Sequence, residues 1–174
     1  VANPDTDDAE TLNAALASGK HLLLTPGHYS LDKPVVVNED DTVVLGMGFA
    51  TREISNFNRE WAVKVGDVGG VLGVAWEDEY ENGVVKNYGN PVQTGLLVSG
   101  DNVKCYALMV EHCEKYQTYW EGENGLTVMY QSETPYRVPS QDQFMSHDGT
   151  KNGYASYKVD DGVQKHRAYG LGVY

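Results

Sequence analysis

One pattern of apolar and polar positions occurs five times along the chain. An apolar strand end is followed by a short acidic or glycine-rich turn and then by a new apolar strand. The copies begin at Val37, Val65, Val98, Trp120 and Val159. The new strands start 28, 32, 23 and 37 residues apart, at Val43, Val71, Val103, Leu126 and Val163. Turn chemistry that recurs between short strands is typical of a solenoid, whose coils bury their apolar faces against one another.

The uneven spacing indicates that one corner of each coil is constant while another carries insertions. We therefore predict an all-β fold, a right-handed parallel β-helix, in a single domain over residues 1–174 with coils over about 21–174. Residues 134–153 have low apolar content and are predicted to form a side-wall loop. Val71, Val103, Leu126 and Val163 are expected to begin parallel strands stacked in register.

The sequence predicts one helix, over about residues 7–18. Asp7 or Asp8 can cap its first turn, the stripe of Leu12, Ala15 and Leu16 is apolar, and Gly19 occupies the position of a left-handed C-cap. A β-helix has an open end that would otherwise face water. We expect this helix to cover that end.

Charge and composition exclude several classes of partner. The chain carries 25 acidic and 13 basic residues, with a net charge of −12. Such a surface repels nucleic acid and anionic membranes, and no apolar run approaches the ~20 residues of a membrane span. The chain starts at Val1 without a Met and is rich in glycine and tyrosine, which favours a secreted, turn-rich β protein.

Cys105 and Cys113 are the only cysteines. A straight strand from Val103 would hold them about 26 Å apart, too far to bridge, at a rise of ~3.3 Å per residue. A bend near Glu111 would bring them within reach. A disulfide and two buried thiols both remain open at this point.

A family resemblance begins after the predicted helix. Residues 21–31 form an apolar strand, a Pro-Gly-x-Tyr segment and another strand, and they resemble the opening of pectin-lyase-like β-helix proteins. Further similar segments are residues 43–48, 95–103, 106–112, 130–136 and 169–174. They resemble a group of secreted proteins of bacteria, fungi and oomycetes that is often mislabelled as adenylyl cyclase or coagulation factor 5/8 type.

The resemblance implies a right-handed β-helix and a distant relationship to β-helix glycoside hydrolases acting on 1,3-linked glucans. It assigns no catalytic residues. Members of the group usually have more coils than the ten residues between Val65 and Trp76 allow, and Tyr174 lies on an apolar strand. We therefore expect that residues 1–174 are a fragment of a longer chain, or that another subunit covers an uncapped C-terminal coil through self-association.

Acidic residues recur near the far end of the strands when the coils are aligned on the residue after each turn. Glu79 (or Asp78), Glu111 and Glu133 then fall near one edge of three consecutive coils. Stacked strands are ~4.8 Å apart, so these carboxylates would have the ~5–9.5 Å separations that glycosidases use. We predict Glu79, Glu111 and Glu133 as catalytic residues.

Aromatic residues and one histidine surround these acids in the sequence. We predict that Trp76, Tyr106, Tyr130, Tyr136 and His112 bind the substrate. The alternative is that the acids only mark a solvated strand-to-loop boundary. A slip of one residue in register would also send a side chain to the opposite face.

Other polar residues are assigned to structure. Asp160 and Asp161 occupy the turn position that acids fill in the other repeats, where Asp bonds nearby backbone. Neither a His-x-x-x-His pair nor a phosphate-binding glycine motif occurs, so we predict no metal and no cofactor. The arginines lie in no context that suits a pectate lyase. His28 and His147 are expected to be structural, and His166 is left open.

Two functions fit these observations. The first is a secreted glycoside hydrolase acting on a glucan-type polysaccharide through paired carboxylates. The alternative is a non-catalytic extracellular β-solenoid, a structural or adhesive module that stacks into filaments. The clustered carboxylates and the family resemblance favour the enzyme.

Overall fold

The computed structural model describes residues 1–48, 50–54, 61–66, 75–76, 80–81, 84–85, 92–136 and 138–174. For 51–54, 75–76, 80–81 and 84–85 it describes the strands but not the side chains. Several predicted positions therefore lie outside the described residues, namely Val71, Asp78, Glu79 and the side chain of Trp76.

The predicted helix is present as α1, Ala9–Ala17. Asp8 is its N-cap and accepts a hydrogen bond from the Thr11 N–H at 2.8 Å, which satisfies one of the free donors of the first turn. Leu12 and Leu16 are buried, and Gly19 has a φ of +76° beyond the last turn. None of the described helices is long and apolar enough to cross a membrane.

The rest of the described chain is mainly short strands, numbered here in chain order. They are β1 (Leu22–Leu24), β2 (Gly27–Leu31), β3 (Val35–Val37), β4 (Val44–Gly46), β5 (Ala50–Ile54), β6 (Val63–Val65), β7 (Ala75–Trp76), β8 (Tyr80–Glu81), β9 (Val84–Val85), β10 (Leu96–Val98), β11 (Lys104–Met109), β12 (Thr118–Trp120), β13 (Gly125–Ser132), β14 (Met145–Ser146), β15 (Lys151–Asn152), β16 (Tyr157–Val159) and β17 (His166–Val173). A 3₁₀ turn, Gln141–Gln143, and the antiparallel hairpin β14–β15 lie within the predicted side-wall loop.

The repeated strand ends come together in one parallel sheet of five strands, in the order β16-β12-β10-β6-β3. The last residues of these strands are aligned in one row: Val37, Val65, Val98, Trp120 and Val159. These are the residues that begin the five copies of the sequence pattern. The first four are fully buried, so the repeat builds a continuous apolar row across the sheet. The all-β fold and its parallel pairing are confirmed.

Helix α1 covers the outer edge of this sheet. The Asn13 Nδ2 donates to the Pro34 carbonyl at 2.9 Å, and the Val36 N–H of edge strand β3 donates to Asn13 Oδ1 at 2.8 Å. An uncovered edge would present unpaired backbone groups to other chains. Asn13 therefore supplies the pairing that a further strand would have given.

A second parallel sheet, β11-β13-β17, carries the candidate site. Its register corrects the predicted alignment, because Leu126 pairs with Lys104 and Arg167 rather than with Val103 and Val163. The row of Val103 contains Gly125, which pairs with His166. A Cβ on Gly125 would lie 2.5 Å from the Trp120 ring and from His166 Nδ1. Glycine thus replaces the apolar residue expected there because two rings already fill the space.

A bend crosses all three strands of this sheet. Ala107, Met129 and Gly170 share one row and have φ values of +50°, +62° and +66°. The strict inward and outward alternation is shifted at this row, so Cys105 and Leu108 are both buried. After the shift, Val110 points inward and Glu111 reaches the surface side.

The acids of the turns have structural partners, as predicted. The Glu123 carboxylate accepts from the Gln164 and Lys165 N–H groups at 2.6 and 3.0 Å. Asp160 accepts from the Tyr119 hydroxyl at 2.6 Å and from the Gly162 N–H at 3.0 Å. The hydrogen bond from Tyr119, and to a smaller extent the one from Gly162, lowers the pKa of Asp160. These side chains stabilise the turns.

The two cysteines are both buried, and neither is in a disulfide. Burial raises the pKa of the Cys105 thiol to about 12, so it is a thiol at neutral pH. The Cys113 Sγ lies 3.5 Å from the Glu111 carbonyl oxygen. The sequence left open a disulfide or two buried thiols, and the structure contains two buried thiols.

Candidate functional site

Glu111 and Glu133 lie side by side just beyond the ends of β11 and β13. The two segments stay paired past the strands, since the Val110 N–H donates to the Gln131 carbonyl and the His112 N–H to the Glu133 carbonyl, each at 3.1 Å. Continuing the register of Lys104 with Leu126 aligns Glu111 with Glu133. The predicted alignment had placed these two acids one position apart, and the observed register brings them closer together.

The side chains of Glu111, His112 and Glu133 form one cluster. One oxygen or nitrogen atom from each lies within 4.8 Å of those of the other two. His112 Nε2 is 3.2 Å from Glu133 Oε2, and the Tyr136 hydroxyl donates to the same oxygen at 3.1 Å. The His112 and Tyr136 rings are 3.9 Å apart between centroids. We call Glu111, His112, Glu133 and Tyr136 the carboxylate cluster.

The cluster has an open side and a buried side. Tyr136 is 51% exposed, and the Glu133 side chain is 33% exposed. Glu111 is half-buried, whereas the His112 side chain is 0% exposed. A sugar approaching from solvent would therefore meet the two carboxylates and the Tyr136 ring. The His112 ring lies beneath the carboxylate, and its predicted contact with substrate stays a prediction.

Tyr106 and Tyr130 do not share a face, contrary to the prediction that both offer stacking surfaces. Tyr106 is 39% exposed. Tyr130 is buried, and its hydroxyl donates to the Ser156 carbonyl at 3.1 Å. Burial also raises the pKa of Tyr130 to about 12. The shift at the row of Met129 turns Tyr130 into the core, where no sugar reaches it.

Gln131 is a neighbour of the cluster that the sequence did not single out. Its Nε2 donates to Glu133 Oε1 at 3.5 Å. Its position two residues before Glu133, on the same side of the extended chain, is the signal that would have indicated it. The Glu133 carboxylate thus has donor side chains at both oxygens.

The remaining predicted residues fall elsewhere or outside the described chain. Trp76 lies on β7, paired with Arg52, and its side chain and Glu79 are not among the described residues. His166 Nε2 is 2.9 Å from the Tyr157 hydroxyl, beside the Trp120 ring. Burial lowers the pKa of His166, which favours a neutral structural imidazole.

The chemistry available to the cluster follows from its donor set. Two neighbouring carboxyl groups on an accessible surface can act as an acid and a base in one reaction. Two carboxylates and an imidazole are also ligands that a divalent ion accepts, and no other such group of three occurs among the described residues. The absence of a metal requirement stays a prediction.

Comparison with known proteins places the chain in a family. The family model of the LAM55 pectate lyase-like domain matches residues 1–74 and 73–133. An exo-beta-1,3-glucanase of Streptomyces sp. (strain SirexAA-E / ActE) is 34% identical over 230 residues of alignment, covering 95% of this chain and 37% of that protein. The two matched segments of the family model meet inside the stretch from Val65 to Trp76 that is short in the sequence.

Solved structures give the same result. A variant of sacteLam55A from Streptomyces sp. SirexAA-E, in complex with glucose, is 31% identical with a TM-score of 0.57, over 100% of this chain and 42% of that one. A second structure of sacteLam55A has a TM-score of 0.56 and 31% identity, over 97% of this chain and 42% of that one. The chain thus spans less than half the length of these relatives. Because the family model matches well over half of its residues, the chain belongs to the LAM55 pectate lyase-like domain family.

Proposed function

We propose that this chain forms the catalytic region of a glycoside hydrolase that cleaves β-1,3-glucan. The carrying observation is that Glu111 and Glu133 lie side by side on the accessible side of one cluster, within 4.8 Å between an oxygen of each. The family neighbour that is an exo-beta-1,3-glucanase supplies the substrate class. The match covers 37% of that protein, so substrate and activity are transferred here as a proposal.

The proposed mechanism divides two roles between the carboxyl groups. One protonates the leaving glycosidic oxygen, and the other acts on water or on the sugar as the bond breaks. The half-exposed Tyr136 ring is placed to stack against a sugar ring beside them. The arrangement supports either assignment of the two roles, and kinetics can separate them.

We also propose that the parallel sheets are walls of a right-handed β-helix. Strands β1, β2 and β3 pair in turn with β4, β5 and β6, so successive stretches of chain visit the sheets in one order. Later strands alternate between the two larger sheets in the same way. Parallel crossover connections are nearly always right-handed. We also propose that the protein is secreted, because a polymeric glucan is too large to cross a cell membrane.

The proposal is tested by removing each carboxylate while keeping its shape. We expect Glu111→Gln and Glu133→Gln each to reduce hydrolysis of laminarin by about 10²–10⁴-fold, the usual contribution of a general acid or base. Thermal stability should change little, since glutamine keeps the shape of the side chain and partly exposed carboxylates add little to folding. Glu121→Gln is the matched control, because Glu121 is exposed and lies outside the cluster. Activity in either variant equal to that of the control would refute the proposal.

A second pair of measurements assigns the roles. The variant that lacks the acid should keep much of its activity on a β-glucoside with a dinitrophenyl leaving group, which needs no protonation. The variant that lacks the other carboxylate should regain turnover when azide is added as a small nucleophile. If neither variant shows either behaviour, the two carboxylates do not form an acid and base pair.

The alternative, a non-catalytic structural or adhesive module, is not favoured. A scaffold gains nothing from two carboxyl groups held together, since like charges in contact are unfavourable. The alternative would be supported if wild-type protein bound laminarin without releasing any sugar from it.

A further inference from the structure

We infer that His112 is a positioning residue, whose buried imidazole orients the Glu133 carboxylate toward the substrate. This inference rests on the proposed function of Glu133. It concerns a residue that does not touch the sugar, because its side chain is 0% exposed while that of Glu133 is 33% exposed. The imidazole therefore supports the carboxylate from below, and the substrate approaches from above.

The contact is built from both backbone and side chain. His112 Nε2 lies 3.2 Å from Glu133 Oε2, and the His112 N–H donates to the Glu133 carbonyl at 3.1 Å. His112 also has a φ of +61°, a left-handed conformation that is unfavourable for a residue with a side chain. Such a conformation persists where the surroundings hold it in place. Here it coincides with the residue that holds a proposed catalytic carboxylate.

Tyr136 completes the arrangement from the open side. Its hydroxyl donates to Glu133 Oε2 at 3.1 Å, and its ring lies over that of His112 with 3.9 Å between centroids. Two donors thus converge on Oε2. Oε1 makes one longer contact, with Gln131 Nε2 at 3.5 Å, so it is the less tightly held of the two oxygens. Fixing one carboxylate oxygen fixes the direction of the other.

A purely structural histidine would behave differently. A buried imidazole that only fills space can be replaced by an apolar side chain of similar size without a specific effect on turnover. A positioning residue acts through Glu133, so its loss should lower kcat and leave KM nearly unchanged. Its effect should also disappear once Glu133 no longer acts as a carboxylate.

The experiment compares His112→Leu with His112→Gln in the full chain, on laminarin. We expect His112→Leu to reduce kcat by about 10- to 100-fold, with KM within about twofold of wild type. His112→Gln retains an N–H donor at the end of its side chain and should restore most of the activity. In a Glu133→Gln background, His112→Leu should cause little further loss. Should His112→Leu fail to fold, His112→Asn replaces it, because its side chain is too short to reach Glu133.

The outcomes separate this inference from the proposed function. If Glu133→Gln is inactive while His112→Leu has the kcat of wild type, His112 is not a positioning residue and the function of Glu133 stands. Equal losses in His112→Leu and His112→Gln, or an additive loss in the double variant, would also overturn the inference. If Glu133→Gln is fully active, the proposed function itself fails.

Discussion

At the scale of single residues, a few backbone angles decide which side chains reach the carboxylate cluster. Ala107 and Met129 adopt positive φ values of +50° and +62° in the middle of their strands. Without the resulting shift, strict alternation from Cys105 would point Glu111 into the core. The bend therefore places both acids outside and His112 beneath them. Neither Ala nor Met favours this conformation, and Gly170 in the same row is the only residue whose type signals it.

Gly125 shows the same dependence on one small residue. A Cβ at this position would lie 2.5 Å from the Trp120 ring and from His166 Nδ1. We expect Gly125→Ala to lower the free energy of unfolding by about 1–3 kcal/mol through overpacking, measured by urea denaturation. Gly172→Ala on the same sheet is the control, since the nearest atom to its Cβ would be 3.4 Å away. Equal stability of the two variants would contradict this account of the Trp120 and His166 packing.

At the scale of the elements, turn length sets the register. Lys104 lies six positions after Val98 and Leu126 six after Trp120, whereas Arg167 lies eight positions after Val159. The first two pairs are aligned, and the extra residues of the third turn are absorbed before β17 begins. Aligning the repeats on the first apolar residue after each turn therefore gives the wrong strand register. Aligning them on the last residue before the turn gives the observed register for the turns that follow Val98 and Trp120.

The junction of α1 and β3 offers a test at this scale. Asn13 makes hydrogen bonds of 2.9 and 2.8 Å to Pro34 and Val36. We expect Asn13→Ala to lower the free energy of unfolding by about 1–2 kcal/mol, because both partners lose their bonds, although alanine favours the helix. Glu10→Ala, on the exposed side of the same helix, should have a smaller effect. Denaturation curves that coincide with wild type for Asn13→Ala would show that the edge needs no such cover.

At the scale of the whole molecule, the repeated turn pattern predicted which strands share a sheet, whereas the spacing of its copies did not predict their register. The five strand ends that open the copies lie in one row, and the helix and the structural acids of the turns are where the sequence placed them. The faces of Tyr130 and His112 were not predictable, because each depends on a backbone shift that only Gly170, on the neighbouring strand, signals by its residue type. Glu111 and Glu133 were predicted to be neighbours because both follow the same end of adjacent strands. A register error of one residue changes their separation only slightly.

The two thiols report on the integrity of the whole core. Cys105 and Cys113 are buried and not in a disulfide, and burial raises the pKa of Cys105 to about 12. We expect almost no reaction with a disulfide reagent at pH 8 in native protein, because the thiolate is the reactive form. Two thiols per chain should react after denaturation. Finding none in the denatured protein would mean that the cysteines are bridged, while rapid native reaction would contradict the packing.

The central claim, that Glu111 and Glu133 together cleave β-1,3-glucan, is tested most directly by following laminarin with the wild-type chain and the two glutamine variants. Proton NMR of the digest detects released sugar through its anomeric signals. The account predicts steady release by wild type and by Glu121→Gln, and a loss of about 10²-fold or more in Glu111→Gln and in Glu133→Gln. Folded wild-type protein that releases no sugar, or variants that match its rate, would contradict the account.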